Sequence, residues 1–151
     1  MKSKILEERV RRVKVLFKEL GYRLTRDDKS PEEYTAAISS KEGVVGGVFL
    51  DAESRFLELG YTFSFSSSLS HYLKNRLEDV LRVCYEFGCY PNIQNSMGEI
   101  AISLFSKIYF SGLNYYSLKD SLKDFRACVD LATGVLDIHA EDEDLEEEEG
   151  L

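Results

Sequence analysis

The sequence has no stretch that approaches the roughly 20 apolar residues needed to span a membrane as a helix. Its N-terminal segment, MKSKILEERVRRVKVLF, mixes apolar and charged side chains, so it also lacks the uninterrupted apolar core of a secretory signal peptide. These two absences predict a cytoplasmic protein that does not insert into a membrane.

Cysteine is scarce and poorly spaced for cross-linking or for metal binding. Cys84, Cys89 and Cys128 are odd in number and form no CxxC pair, and the two histidines lie at spacings unsuited to completing a ligand set. The pattern disfavours a disulfide framework and a zinc site. We expect three buried, reduced thiols that behave as small hydrophobic residues.

Recognisable cofactor and catalytic motifs are also missing. Gly46 and Gly47 match neither the GxGxxG nor the GxxxxGK[ST] phosphate loop, and they indicate a β-bulge more than a ligand cleft. Asp51 and Glu53 fall in a predicted turn, where carboxylates serve the turn more often than proton transfer. We therefore predict no cofactor, no bound metal and no enzymatic activity.

The net charge of −8 comes from one segment at the C-terminus. Residues 141–149 contain eight acidic residues and no basic one, and removing them leaves 19 acidic residues against 19 Lys and Arg. Such a run repels itself and has almost nothing to bury, so it predicts a disordered acidic tail over residues 141–151 after a single domain over residues 1–140.

Two roles for the tail stay open, solubility and the masking of a basic surface. The candidate surface is the first predicted helix, whose basic residues are Lys2, Lys4, Arg9, Arg11, Arg12, Lys14 and Lys18. Nucleic-acid binding by this helix is disfavoured, because acidic residues are interleaved with the basic ones and no aromatic stacking platform accompanies them.

Hydrophobic periodicity predicts the elements of secondary structure. Apolar residues three and four apart predict helices over about residues 3–20, 69–87 and 117–136. Alternation predicts strands over about residues 34–38, 43–50, 55–65, 90–94 and 99–112. The predicted fold is α+β, in the order helix, three-stranded antiparallel meander, helix, two-stranded hairpin, helix, with the helices mainly on one face of the sheet.

Aromatic residues stand out on the face of this sheet that the helices leave uncovered. Counting along the strands places Phe56, Phe105 and Tyr109 there, among mostly polar neighbours. Single exposed aromatic residues are ordinary on an edge strand, but three together favour a contact surface for a partner chain or for a second copy of this one. We predict that these three residues bind a partner.

Four stretches carry a resemblance to a known family. They are LGY at residues 20–22, GGVFLDAESRFLEL at 46–59, NRLEDVLRVCYEFGCYPNIQNSMGEIAIS at 75–103, and SLKDSLKDF at 117–125. With the predicted element order, the chain resembles the bacterial YbjN-type family of sensory transduction regulators, which shares its fold with type III secretion chaperones.

The resemblance covers about residues 3–138 and implies a non-enzymatic protein that binds another polypeptide, as a chaperone-like or regulatory adaptor, and that forms a homodimer. The neutral body and the Glu-rich tail depart from the pattern of secretion chaperones and disfavour a secretion cargo. The alternative is a small regulator whose acidic tail masks a basic surface or mimics nucleic acid.

Overall fold

A computed structural model describes residues 2–136, with side chains from Lys4 onward, so the predicted acidic tail lies outside the described residues. The helices of this part are α1 (Lys2–Glu19), α2 (Ser70–Lys74), α3 (Leu77–Glu86) and α4 (Tyr115–Leu136). The strands are β1 (Arg23–Lys29), β2 (Glu33–Ser40), β3 (Gly43–Asp51), β4 (Phe56–Ser66), β5 (Tyr90–Ser96) and β6 (Glu99–Tyr109). None of these helices is long and apolar enough to cross a membrane.

The six strands form one antiparallel sheet in the order β1-β2-β3-β4-β6-β5. The α+β class is therefore confirmed, but the prediction of five strands is wrong because it missed β1. The sequence of β1, RLTRDDK, has no apolar alternation, and most of its residues are exposed. It lies at the end of the strand order, where a strand needs only one neighbour and little buried surface, so its sequence carries no period-two signal.

The predicted helix over residues 69–87 is divided into α2 and α3 at Asn75 and Arg76. In a continuous helix the Arg76 N–H would donate to the carbonyl of Tyr72. Here it donates to the carbonyl of Leu73, and the Arg76 guanidinium donates to Tyr72 O at 3.3 Å while stacking on the Tyr72 ring. The Arg76 side chain thus binds the Tyr72 carbonyl, which the Arg76 N–H would bind in a continuous helix.

The chain divides into two compact units. Of the described residues, the first consists of 2–61 and 105–123, and the second of 62–104 and 124–136. In the first unit α1 packs on β1, β2 and β3. Its apolar residues Leu6, Val10, Val13 and Phe17 are buried. After its last residue, a φ of +88° at Gly21 and a bond from Tyr22 N to Phe17 O close the helix as a Schellman motif.

The second unit contains all three cysteines as free, buried thiols, as expected. Cys84 and Cys128 are hydrogen-bonded partners, and this bond, with burial, raises the pKa of Cys84. The bond with Cys84 lowers the pKa of Cys128, but a hydrogen bond with Cys89 and burial outweigh it and raise the value to about 12. Cys84 and Cys128 are thus held protonated, which makes them poor nucleophiles.

Candidate binding surface

The sheet of the first unit has an inner face, which packs under α1, and an opposite face, which we call the outer face. Alternate residues of β2 and β3 lie on opposite faces. Tyr34, Ile38 and Leu50 are buried on the inner face, whereas Thr35 and Phe49 are more exposed on the outer face. The Nζ atom of Lys14 in α1 lies 5.5 Å from the centre of the Tyr34 ring, which identifies the helix side.

Two of the three predicted partner-binding residues meet on the outer face. Phe56 and Tyr109 contact each other edge to face, with ring centres 5.7 Å apart, and Tyr109 leaves 56% of its surface exposed. The Nζ atom of Lys107 lies 4.5 Å from the centre of the Phe56 ring. A cation over the ring and an aromatic edge against it hold Phe56 in place.

Phe105, the third predicted residue, takes a different position. It is half-buried and lines a shallow hollow in the outer face, with a volume of about 230 Å³. The outward-facing residues that line this hollow are Thr35, Gly47, Phe49, Glu58, Gly60 and Phe105. The structure therefore divides the predicted surface into an aromatic pair, of which Tyr109 is exposed, and a separate hollow.

Gly47 and Gly60, which line the hollow, belong to a row of small residues that crosses three strands. Ala37 lies opposite Gly47, and Gly47 lies opposite Gly60. The bond from Phe110 N to Arg55 O and the contact of Phe56 with Tyr109 fix an antiparallel register of β4 and β6 in which Phe105 follows Gly60 in the row. Small residues beside an aromatic ring leave the space that forms the hollow.

Sequence reasoning missed this hollow, although part of its signal was available. A bulge was predicted near Gly46 and Gly47, and the register of β2 with β3 does shift there, between Ile38 and Ser39. The same counting that placed Phe56 outside also places Gly60 outside, four residues along β4. The pairing of Gly60 with Gly47 required the strand register, which single-strand patterns do not give.

The basic residues of α1 are only partly available to an acidic tail or to a polyanion. Arg9 donates to the carbonyls of Asp51 and Ser54 at 3.0 and 2.9 Å, and Arg12 donates to Leu113 O. Lys14 pairs with Asp27 at 3.5 Å. Three of the seven basic residues that were proposed as a masked surface therefore contact other parts of the first unit.

Two carboxylates of the first unit serve local structure. Asp51 accepts from the N–H groups of Glu53 and Ser54 at 3.0 and 2.6 Å and closes the turn between β3 and β4. Asp27 accepts from the hydroxyl of Tyr34 at 3.3 Å. Burial and the nearby Asp27 charge raise the pKa of Tyr34 to about 12. Between residues 2 and 136 no group of three or more His, Cys, Asp or Glu side chains could hold a metal ion.

Comparisons with known proteins bear on the fold. No protein-family model matches the chain, and no curated protein matches it. Among solved structures it is similar to the crystal structure of an uncharacterized protein from Methanothermobacter thermautotrophicus, with a TM-score of 0.64 and 14% sequence identity. The similarity covers 83% of this chain and 94% of that one. At this level of identity it shows a shared fold alone.

Proposed function

We propose that this chain is a non-enzymatic protein that binds another polypeptide through the outer face of its first unit, as a chaperone-like or regulatory adaptor. One observation carries the proposal. The face opposite α1 combines a half-exposed aromatic pair, Phe56 with Tyr109, and an apolar hollow beside Phe105. Contact surfaces are enriched in aromatic anchors and in the shallow depressions that receive them.

The occupant of this face is a single extended segment of a partner chain. A standard interface buries about 800 Å² on each side, whereas three aromatic side chains contribute at most about 450–750 Å² when fully exposed. Phe56 and Phe105 are half-buried here, so the aromatic part of this face offers less area than one side of a stable dimer interface buries. A short segment needs less area, and its alternate side chains meet the face at a strand's spacing.

As part of the same proposal, the chain is a member of the YbjN-type family, lies in the cytoplasm and forms a homodimer. The alternative, a regulator whose acidic tail masks a basic surface or mimics nucleic acid, has less support. Arg9, Arg12 and Lys14 contact other groups of the first unit, which reduces the basic surface available for masking.

The proposal predicts that linear peptides bind the outer face. Peptides selected from a displayed random library on the full chain should bind the double variant Phe56→Ser with Tyr109→Ser at least tenfold more weakly, since anchor residues of this type contribute roughly 2 kcal/mol or more. Isothermal titration calorimetry measures the change.

Tyr85→Ser is the matched control, because Tyr85 is 91% exposed on α3 and lies in the other unit. Its peptide affinity should equal that of the unmodified chain. Equal affinities for the double variant and the unmodified chain would remove the outer face as the binding surface.

A further inference from the structure

We propose that the hollow over Gly47 receives one large apolar side chain of the bound segment and that Gly47 sets this preference. The inference rests on the proposed function and adds to it the class of residue that the partner must carry. It also assigns a role to a glycine that the strand itself does not need.

The backbone gives no reason for glycine at position 47. Gly47 is absent from the glycines with positive φ, so an L-residue fits its conformation. A Cβ atom there would meet only Ala36 O at 3.5 Å and Gly60 O at 3.9 Å, which are ordinary contact distances. Glycine within a strand is less stable than alanine by about 0.5–1 kcal/mol. The chain therefore bears a small loss of stability to keep this space empty.

The lining of the hollow defines what fits. Gly47 and Gly60 make a low floor across β3 and β4, and Phe49 and Phe105 border it. The exposed surface inside is mostly apolar. An apolar side chain gains free energy by leaving water here, whereas a charged one would lose hydration and meet only Glu58 as an ionised residue of the lining.

The size of the hollow selects a single side chain over a small-molecule ligand. Pockets for drug-sized molecules usually measure about 300–1,000 Å³. The hollow, at about 230 Å³, lies below that range. Side chains from two packed β layers interdigitate when the layers are about 10 Å apart, so a side chain of an extended segment can reach a floor made of glycine.

The test compares peptide selection on the unmodified chain with selection on variants that fill the hollow. Gly47→Leu places a large side chain in it, and Gly47→Ala places a small one. Gly112→Leu is the matched control, because a Cβ atom at Gly112 would have no neighbour within 4 Å and the φ of Gly112 is not positive. Circular dichroism and urea unfolding establish that each variant is folded.

Peptides selected on the unmodified chain should share one position occupied by Leu, Met, Phe or Trp, and replacing that residue by Ser should weaken binding at least tenfold. Gly47→Leu should lose at least tenfold in affinity for the same peptides, Gly47→Ala about threefold, and Gly112→Leu nothing. If Gly47→Leu does not fold, Gly47→Ala with the Ser-substituted peptide still decides the matter.

The two proposals fail in different ways. If peptides bind and depend on Phe56 and Tyr109 but are indifferent to Gly47→Leu and Gly47→Ala, the role of the hollow is wrong and the binding function stands. If no peptide is enriched over the library background, the binding function fails, and the role of the hollow fails with it.

Discussion

Individual residues of α1 organise backbone that lies far along the chain. The guanidinium of Arg9 joins the carbonyls of Asp51 and Ser54 and lies 4.5 Å from the centre of the Phe110 ring. The same Nη1 atom makes both bonds, while the planar guanidinium lies over the Phe110 ring. The turn between β3 and β4 is thus fixed from both sides, by Arg9 and by the carboxylate of Asp51.

The carboxylate of Asp51 makes the free energy of unfolding depend on pH in the acidic range. Burial alone would raise the pKa of Asp51, but hydrogen bonds from Ser54 and Glu53 and the charge of Arg9 lower it below its usual value. The ionised group therefore favours the folded state above about pH 3.9, the unfolded value, and this contribution is lost as the pH falls through the lower folded value.

Asp51→Asn removes the titration and keeps an oxygen that accepts from the same N–H groups. The variant should lose less free energy of unfolding than the unmodified chain between about pH 4 and about pH 2, as measured by urea unfolding across that range. Parallel pH profiles for the two proteins would contradict the assignment.

Met97 occupies a backbone conformation that suits asparagine or glycine better. Its φ of +50°, followed by +81° at Gly98, is the pattern of a type I′ turn between β5 and β6. The Met97 side chain is fully exposed, so replacing it removes no packing. Met97→Asn should raise the free energy of unfolding by about 1 kcal/mol, because the left-handed region costs most side chains about 1–2 kcal/mol. Gly98→Ala, the control, should lower it, and denaturant unfolding measures both.

At the scale of elements, the helices and strands that could be predicted are those whose apolar residues recur with a regular period. The stripes of α1 and α4 and the alternation of β3, β4 and β6 follow from burial of one face, and these elements were predicted near their observed positions. β1 has no such stripe because it buries little, and the division at Arg76 arises from a side chain competing for a helix carbonyl. Neither the low burial of β1 nor the competition at Arg76 produces a periodic pattern of apolar residues in the sequence.

α4 contains a glycine that its helical structure does not require. Gly134 is exposed, has no positive φ, and leaves open space around a Cβ atom. Gly134→Ala should therefore raise the free energy of unfolding by about 1 kcal/mol. Gly88→Ala is the control, since Gly88 ends α3 with a φ of +70° and an alanine there should be destabilising. A thermal scan in which Gly134→Ala melted no higher than the unmodified chain would contradict the argument.

For the whole molecule, the fold class was accessible from the sequence, and the candidate surface only in part. Strand alternation placed Phe56, Phe105 and Tyr109 on one face, but it could not separate the half-buried Phe105 from the exposed Tyr109. Their different exposure depends on neighbours across the sheet, where Gly60 lies next to Phe105 and Phe56 lies against Tyr109. Such neighbours are set by register between strands that are distant in sequence.

The predicted homodimer can be tested at β5, one end of the strand order. β5 carries no charged side chain, whereas β1, at the other end, carries five charges in seven residues and a shift of register. Charges and bulges discourage pairing of edges, so β5 is the edge open to a second copy. Ile93 is 45% exposed there. Ile93→Lys should convert a dimer to a monomer in light scattering, whereas Thr25→Lys on β1 should not; an unchanged mass for Ile93→Lys would exclude this edge.

The placement of the three cysteines gives the protein a built-in reporter of partial opening. All three lie in the second unit, and none lies in the first. Because each is buried, and Cys84 and Cys128 are also held protonated, a maleimide reagent can label them only after that unit loosens. The labelling rate therefore follows the opening of the second unit without an added probe. The first unit contributes no label to the same measurement, because it contains no cysteine.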